Sequence, residues 1–302
     1  PLAPRGPETA FGRFSFGVDY TFVEQNRLWD GNREVSDAQA LAAEGGIGHV
    51  LEQLTSTRTW LGVARARVSD RLLLIATLPY LDRVHQHTLE HHTNFFIPSE
   101  WHLRGVGDGT LVGMWTALAS PAAGDLTLEA GVKLPTGARG APVVNGDQPE
   151  PPARLGTGST DFTAGFEYRR LFATRTLGGA VASVPLGVTT LVRVNGRGTD
   201  QYRMANEWQL DASGSYPLGR RVAVLAQVNG AVRGRDDVGT TDAEPHSTGS
   251  ASLYASPGLR LDVVPGVSAF GYYQFRLYEH TNGPQLVAPY HFALGLAYAI
   301  GR

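Results

Sequence analysis

Residues 287–300 read VAPYHFALGLAYAI, and large apolar side chains alternate there with small or polar ones. Successive side chains of a β-strand point to opposite faces, so the stretch has one apolar face and one small or polar face. The apolar face carries Tyr290, Phe292, Leu294, Leu296, Tyr298 and Ile300, and the other face carries His291, Ala293, Gly295, Ala297 and Ala299. Aromatic residues at the ends of an apolar face are typical of a strand that meets lipid.

The same alternation recurs along the chain and predicts about twelve strands. The predicted strands are 14–22, 59–68, 72–80, 111–119, 126–134, 162–169, 182–192, 208–216, 222–228, 251–261, 267–277 and 287–300. An even number of strands joined by alternately long and short connections is typical of bacterial outer-membrane barrels. We therefore predict an all-β fold, a transmembrane antiparallel β-barrel with long extracellular loops and short periplasmic turns.

The whole chain, 1–302, is predicted to form a single outer-membrane barrel domain of a Gram-negative cell, with 1–10 as a periplasmic N-terminal tail. The first long connection has a stretch at 38–45 that could hold a short helix. A soluble all-β protein is the alternative, because alternation alone does not distinguish inside from outside. Two features favour the membrane barrel. The polar faces consist mainly of Gly, Ala, Ser and Thr, and the strand ends carry Trp and Tyr.

Composition excludes several classes of protein. Lys and Arg total 26 against 28 Asp and Glu, so the chain has no basic footprint for nucleic acid. The absence of cysteine excludes disulfides, thiolate metal sites and cysteine nucleophiles. No apolar run reaches the roughly 18 residues that a membrane-spanning helix needs.

Three turn-like segments carry a family resemblance: 105–109 (GVGDG), 131–137 (GVKLPTG) and 156–162 (GTGSTDF). In this order and spacing they resemble the predicted outer-membrane transporter family associated with phenol meta-cleavage pathways. That family is distantly similar to the fatty-acid and hydrocarbon outer-membrane channels. The resemblance extends over about Trp101 to the C-terminus, and it implies an outer-membrane barrel that passes small organic molecules.

The inward faces of the predicted strands define the candidate site. Its lumen-lining residues are Asp19, Arg65, Arg67, Glu129, Lys133, Glu167, Arg169, Asp211, Arg260, Gln274, Arg276 and His291. Ionisable groups inside a membrane span are costly unless they face water or a partner. Two interpretations stay open: the charges fill and stabilise the lumen, or they line a porin-like channel for passive passage of small solutes, aromatic or hydrophobic ones included.

A second candidate site is the histidine-rich stretch 85–92, HQHTLEHH. Imidazole is a common metal ligand, so His85, His87, His91 and His92 are candidate ligands for Zn or Cu. His87 and His91 share a face if the stretch is helical, whereas His85 and His87 share one if it is extended. For the stretch itself the alternatives are a solvated, pH-responsive polar loop, or a loop that folds inward and constricts the pore. For the whole protein the alternative is a scaffold barrel that uses this loop to bind metal or a partner protein.

The chain is predicted not to be an enzyme, because His246 and Ser159 lie in no recognisable nucleophile motif. No glycine loop supports a nucleotide cofactor. The expected partners are membrane lipid and a small-molecule solute, with no nucleic acid; a partner protein stays open, and the sequence does not determine the oligomeric state. Pro185 and Pro257 are predicted sites of wall distortion, where a hydrophobic solute could leave sideways.

Overall fold

The structure is a computed structural model that describes residues 13–43, 50–90, 96–140, 149–175, 179, 181–241 and 245–300. The described strands are β1 (Phe14–Gln25), β2 (Arg27–Gly31), β3 (Arg33–Glu34), β4 (Val50–Arg67), β5 (Leu72–Glu90), β6 (Phe96–Val106), β7 (Thr110–Ser120), β8 (Gly124–Lys133), β9 (Asp161–Arg175), β10 (Val181–Val194), β11 (Glu207–Pro217), β12 (Val222–Arg233), β13 (Ser250–Val264), β14 (Val267–Val287) and β15 (Tyr290–Ile300). All of them except β2, β3 and β6 form a closed antiparallel barrel of twelve strands. This confirms the predicted fold class.

The barrel closes where β1 pairs with β15, from Phe14 opposite Ile300 to Val23 opposite His291. The first strand meets the last, so the wall has no unpaired edge. Inside lipid an open edge would leave backbone N–H and C=O groups without hydrogen bonds. The alternating C-terminal stretch therefore pairs with the first strand of the chain.

Burial along β1 shows that the large apolar side chains face outward. Phe14, Phe16 and Val18 are 45%, 53% and 53% exposed, whereas Ser15 between them is fully buried. β15 repeats this pattern, with Leu294 52% exposed and Ala293 3% exposed. A soluble barrel would bury its large apolar residues, so an apolar exterior around a closed wall indicates a surface built for lipid.

Aromatic residues cluster at the end of the barrel that carries the long loops. The Tyr20 ring lies 5.4 Å from Trp60 and 6.2 Å from Phe292, and Trp60 lies 6.0 Å from Tyr80. Such girdles mark the level at which a barrel meets the membrane–water interface. We take Tyr80 as the outer limit of the membrane segment of β5, so the rest of β5 projects outside the bilayer.

The connections alternate in length as predicted. Short turns join β4 to β5 and β11 to β12, while the β10–β11 and β12–β13 connections are long. The described helices are α1 (Asp37–Ala43), which confirms the predicted short helix, and the 3-10 helices Pro151–Ala153, Thr199–Gln201 and Pro245–Ser247. Among the described residues, no helix is both long and apolar enough to cross a bilayer.

Two stretches predicted as loops are instead continuations of strands. β5 runs on to Glu90 and pairs with β6 from Tyr80 opposite Val106 outward, so most of the connection between the predicted strands 72–80 and 111–119 is a β-hairpin. Likewise, β14 continues to Val287 because β2 pairs with its outer end. The connection between the predicted strands 267–277 and 287–300 is therefore largely strand, with an irregularity in the β2 ladder between Thr281 and Gln285. Outside the membrane both strand faces can be polar, so these extensions lack the alternation that marks the wall.

A small apolar cluster secures the first long connection above the barrel. Val35, Ala40 and Leu51 are buried against one another, and Leu28 and Leu41 pack around them. The Ser36 side chain accepts a hydrogen bond from the backbone N–H of Gln39 at 3.4 Å, and the Gln39 side chain accepts from the Ser36 backbone at 3.0 Å. This reciprocal pair is a capping box that fixes where α1 begins.

Candidate functional site

The structure places all twelve predicted lumen residues on the strand faces opposite the exposed apolar side chains. Charged partners recur along this inner wall: Arg169 lies 3.6 Å from Asp125, and Arg260 lies 3.5 Å from Asp262. Asp211 and Gln274 are buried at 8% and 0% exposure. The inner wall is therefore polar and carries ion pairs, whereas the outer wall is apolar.

Lys133, at the outer end of β8, is the centre of a dense polar cluster and the only lysine in the sequence. Its Nζ lies 2.9 Å from Asp108 Oδ2 and 2.9 Å from Asp161 Oδ2. It also donates hydrogen bonds to the Ser159 hydroxyl, at 3.2 Å, and to the Thr157 hydroxyl. A compact ammonium with three rotatable donors suits such a convergent set better than the planar guanidinium of arginine.

The Lys133 cluster joins three segments that are far apart in sequence and that carry the family resemblance. Asp108 stands where β6 gives way to β7, and it also accepts hydrogen bonds from the backbone N–H groups of Gly137 and Thr157. Glycines allow the close approach, because a Cβ at Gly156 would lie 2.6 Å from the backbone of Gly137. The three turn-like motifs thus build one junction in the wall.

The same cluster bears on catalysis at Ser159. Lys133 Nζ reaches the Ser159 hydroxyl at 3.2 Å, but it also contacts the carboxylates of Asp108 and Asp161 at 2.9 Å each. The Ser159 hydroxyl is also shared with Thr157, at 2.9 Å. The geometry is that of a structural ion cluster.

A second polar network spans the inner faces of β11 to β14. Asn229, which is 1% exposed, donates to Asp211 at 2.8 Å and accepts from Ser256 at 2.7 Å and from Gln274 at 3.0 Å. Asp211 and Gln274 are among the predicted lumen residues, whereas Asn229 and Ser256 are not. The alternation of their strands places Asn229 and Ser256 on the inward face, so the sequence held a signal for including them. Their contacts with Asp211 and Gln274 depend on the register of four strands.

A third group lies higher in the lumen, beside β2. The Arg276 guanidinium stacks over the Trp29 ring at 4.1 Å, which fixes the cation against an aromatic face. Tyr254 donates to Glu279 at 3.3 Å and makes an edge contact with His291 at 4.9 Å between ring centroids. Arg276 and His291 are thus held in place by the aromatic neighbours Trp29 and Tyr254.

Residues 85–90 of the histidine-rich stretch are extended rather than helical, so His85 and His87 share the inward face of β5. Both are buried and pack on Trp101 of β6, with ring centroids 5.1 Å and 4.4 Å away. His85 Nδ1 is hydrogen-bonded to the Thr55 hydroxyl at 2.7 Å. Burial, and then the nearby positive groups His87 and Arg83, lower the pKa of His85 to about 4.

His91 and His92 lie outside the described residues. Within the described ranges, no group of three or more His, Cys, Asp or Glu side chains is arranged to hold a metal ion. The Zn or Cu site therefore stays a prediction. A buried, neutral His85 packed on tryptophan is first of all part of the β5–β6 hairpin core.

The outer face of the same hairpin carries an exposed ion group. Asp82 lies 2.8 Å from His102 Nε2 and 3.2 Å from Arg104 Nε. The hydrogen bond from His102, followed by the contact with Arg104, holds the pKa of Asp82 below its usual value. His102 belongs to the histidine-rich region of the sequence, but it faces away from His85 and His87.

The long loops contact one another above the barrel. The Tyr202 hydroxyl donates to Asp236 at 2.7 Å, and burial together with this carboxylate raises the pKa of Tyr202. Arg154 reaches Asp200 at 3.0 Å. Asp200 and Gln201 both have φ of +56°, a left-handed conformation that is costly for residues other than glycine. Contacts between loops therefore hold this strained turn in place.

The two prolines behave differently in the wall. The β9–β10 ladder is regular from Val181 to Val194, so Pro185 causes no register shift. On the β13–β14 side the pairs run from Ala255 opposite Phe275 to Gly258 opposite Tyr272 in unchanged register, and the nearest register shift lies between Leu253 and Tyr254. No register shift therefore falls at either proline, although the β13–β14 ladder lacks pairs at Ser256 and Pro257.

Comparison with known proteins gives the fold a context. No protein-family model and no curated protein sequence matches the chain. The COG4313 outer membrane channel from Pseudomonas putida F1 is similar in structure, with a TM-score of 0.64, 13% identity and 99% of both chains covered. The transport unit of the autotransporter AIDA-I from Escherichia coli has a TM-score of 0.56 and 12% identity, with 99% of this chain and 93% of that chain covered.

At these identities the likeness is one of fold, and the shared fold is that of bacterial outer-membrane barrels. It agrees with the predicted outer-membrane localisation. It also agrees with the outer-membrane barrel that the sequence resemblance implied. The association with phenol meta-cleavage pathways stays a prediction.

Proposed function

We propose that this chain is an outer-membrane channel through which small solutes pass by diffusion. One observation carries the proposal: a closed wall that is apolar outside and lined inside by paired charged and polar side chains. A twelve-stranded barrel lies between eight-stranded barrels, which are filled by side chains, and sixteen-stranded porins, which hold an aqueous channel. The likeness to an outer membrane channel of the same length supports the proposal.

The inner wall favours small solutes with an apolar part. Phe270 and Tyr272 face the lumen with ring centroids 5.8 Å apart, and Tyr254 and Trp29 stand beside His291 and Arg276. Aromatic faces next to hydrogen-bonding groups suit molecules that present one polar group on an apolar body. We therefore include aromatic and hydrophobic molecules among the solutes.

In this proposal the barrel performs no chemistry, and its partners are membrane lipid and the solute. Lys133 has a structural role in the wall, because its contacts hold the junction between β6, β7 and β9. The described residues favour neither a metal-binding role nor a scaffold role.

Single-channel conductance in a planar bilayer tests the proposal. Purified, folded protein should give steady current steps, and the same preparation denatured by heat should give none. Zinc added on the loop side tests the histidine prediction in the same membrane. Block by zinc that disappears in the His91→Ala, His92→Ala double variant would support a site at the mouth. A folded barrel that conducts no ions and admits no small solute into vesicles would overturn the proposal.

A further inference from the structure

A cavity of about 360 Å³ opens at the periplasmic mouth of the lumen, beside the turn between β13 and β14. Its lining includes Arg221, Arg260, Asp262, Ser268, Ala297 and Ala299. This volume is within the range of about 300–1,000 Å³ that is typical of small-molecule sites. We propose that the cavity binds the carboxylate of a small organic anion.

The cavity exists because one side of it is lined by very small residues. The inner face of β15 carries Ala297 and Ala299 at this level, and Ser268 of β14 lies opposite Ala297 in the ladder. Larger side chains at these two alanines would fill the space that faces Arg260. Methyl groups also give an apolar body a surface on which to lie while its charged end meets the guanidinium groups.

The hydrogen bonding of Arg260 is incomplete. Its NH2 group is 3.5 Å from Asp262 Oδ2, which is longer than the usual charge-assisted hydrogen bond of about 2.7–2.9 Å. Its Nε atom is buried and has no hydrogen-bond partner in the part of the chain that the structure describes. The Arg260 side chain as a whole remains 26% exposed and lines the cavity, so a bound anion would supply an acceptor to its guanidinium group.

The charges of the cavity select a monoanion. Arg221 and Arg260 contribute two positive charges and Asp262 one negative charge, so the lining is formally +1. The backbone N–H of Asp262 donates to the carbonyl of Arg221 at 2.7 Å, so the turn that carries Arg221 is fixed beside the carboxylate. A planar carboxylate matches the fork of a guanidinium group, and its single charge neutralises the site.

At this position the site would act on solutes as they leave the channel, a role that rests on the proposed channel function. A solute that has crossed the lumen meets this cavity last, at the end that carries the short turns. A weak anion site there would favour small organic monocarboxylates over neutral or cationic solutes at the exit. It would also raise the local concentration of such anions at the mouth.

Isothermal titration of the detergent-solubilised full chain with sodium benzoate tests the site without requiring transport. Benzamide, which is uncharged and nearly the same shape, is the matched ligand. We expect benzoate to bind, benzamide not to bind, and Arg260→Gln to weaken benzoate binding about tenfold or more. The control is Arg71→Gln, because Arg71 is exposed on another turn at the same rim and does not line the cavity.

Benzoate affinity that is equal in Arg260→Gln and Arg71→Gln, or equal affinity for benzamide, would overturn the proposal. If Arg260→Gln does not fold, Arg221→Gln takes its place, since that side chain lies on an exposed turn. Conductance separates the two proposals. Binding without conductance keeps the anion site and removes the channel, whereas conductance without binding keeps the channel and removes the site.

Discussion

Replacing Lys133 by methionine should destabilise the barrel more than any exposed charge change. The ammonium has only 18% of its side-chain surface exposed, and the carboxylates of Asp108 and Asp161 retain 7% and 5%. Methionine keeps the length of the side chain but leaves two carboxylates without their counter-ion. Breaking a buried ion pair by removing one partner costs about 3–5 kcal/mol. We expect about 3 kcal/mol, because Lys133 retains some contact with solvent.

The free energy of unfolding is measured by guanidinium titration of the protein in lipid vesicles, with tryptophan fluorescence as the signal. Arg104→Gln is the control, because it removes an exposed ion pair with Asp82 and should cost at most about 1 kcal/mol. Lys133→Met combined with Asp161→Asn leaves one buried carboxylate instead of two. It should therefore be more stable than Lys133→Met alone.

A Lys133→Met protein within about 0.5 kcal/mol of the wild type would refute this reasoning, because that is the range of surface substitutions. It would mean that water reaches the cluster and solvates both carboxylates. Lys133→Arg adds a further check. Arginine keeps the charge but cannot place one compact donor group among two carboxylates and two hydroxyls, so its stability should lie between those of the wild type and Lys133→Met.

Three further predictions concern other parts of the chain. Because the pKa of His85 falls from 6.5 to about 4 on folding, the unfolded hairpin binds a proton between these pH values that the folded one does not. The free energy of unfolding of the hairpin should therefore fall, by at most about 3 kcal/mol, as the pH drops through this window. Amide hydrogen exchange in β5–β6 should increase over the same window, and this increase should be absent in His85→Phe. Gly165→Ala should prevent folding, because its Cβ would collide with the carbonyl of Thr190, whereas the control Gly140→Ala places a Cβ with no atom within 4 Å. Gel mobility before and after heating shows whether each variant folds. A folded Gly165→Ala protein would contradict the packing. Asn229→Leu removes hydrogen bonds to Asp211, Ser256 and Gln274 and should cost about 1–3 kcal/mol in the same guanidinium titration; no loss would mean that water replaces the amide.

Much of the wall was predictable because its signal is local. Each wall strand has one apolar face towards lipid, so the alternation in a segment such as 287–300 identifies both the strand and its inward residues. Strand bounds were less accurate outside the membrane. β5 extends to Glu90 and pairs with β6, and there both faces are free to be polar, so the alternation that marks a membrane strand is lost.

The histidine-rich stretch shows the same limit. The sequence brought His85 and His87 to one face only if the segment was extended, and nothing local decided between strand and helix. The structure settles this through β6, whose Trp101 packs on both rings. That contact depends on a hairpin register, which residues 85–92 do not encode alone.

The sequence by itself determined the class of fold, the approximate number of strands and the face on which each polar side chain lies, because a period of two is a property of one strand. Only the tertiary structure decided which inward residues meet. Lys133 contacts Asp108 and Asp161 at a junction of three loops, and Asn229 accepts a hydrogen bond from Gln274 across neighbouring strands. Those meetings follow from the register of twelve strands around a closed ring, and register is set by all the strands and turns together.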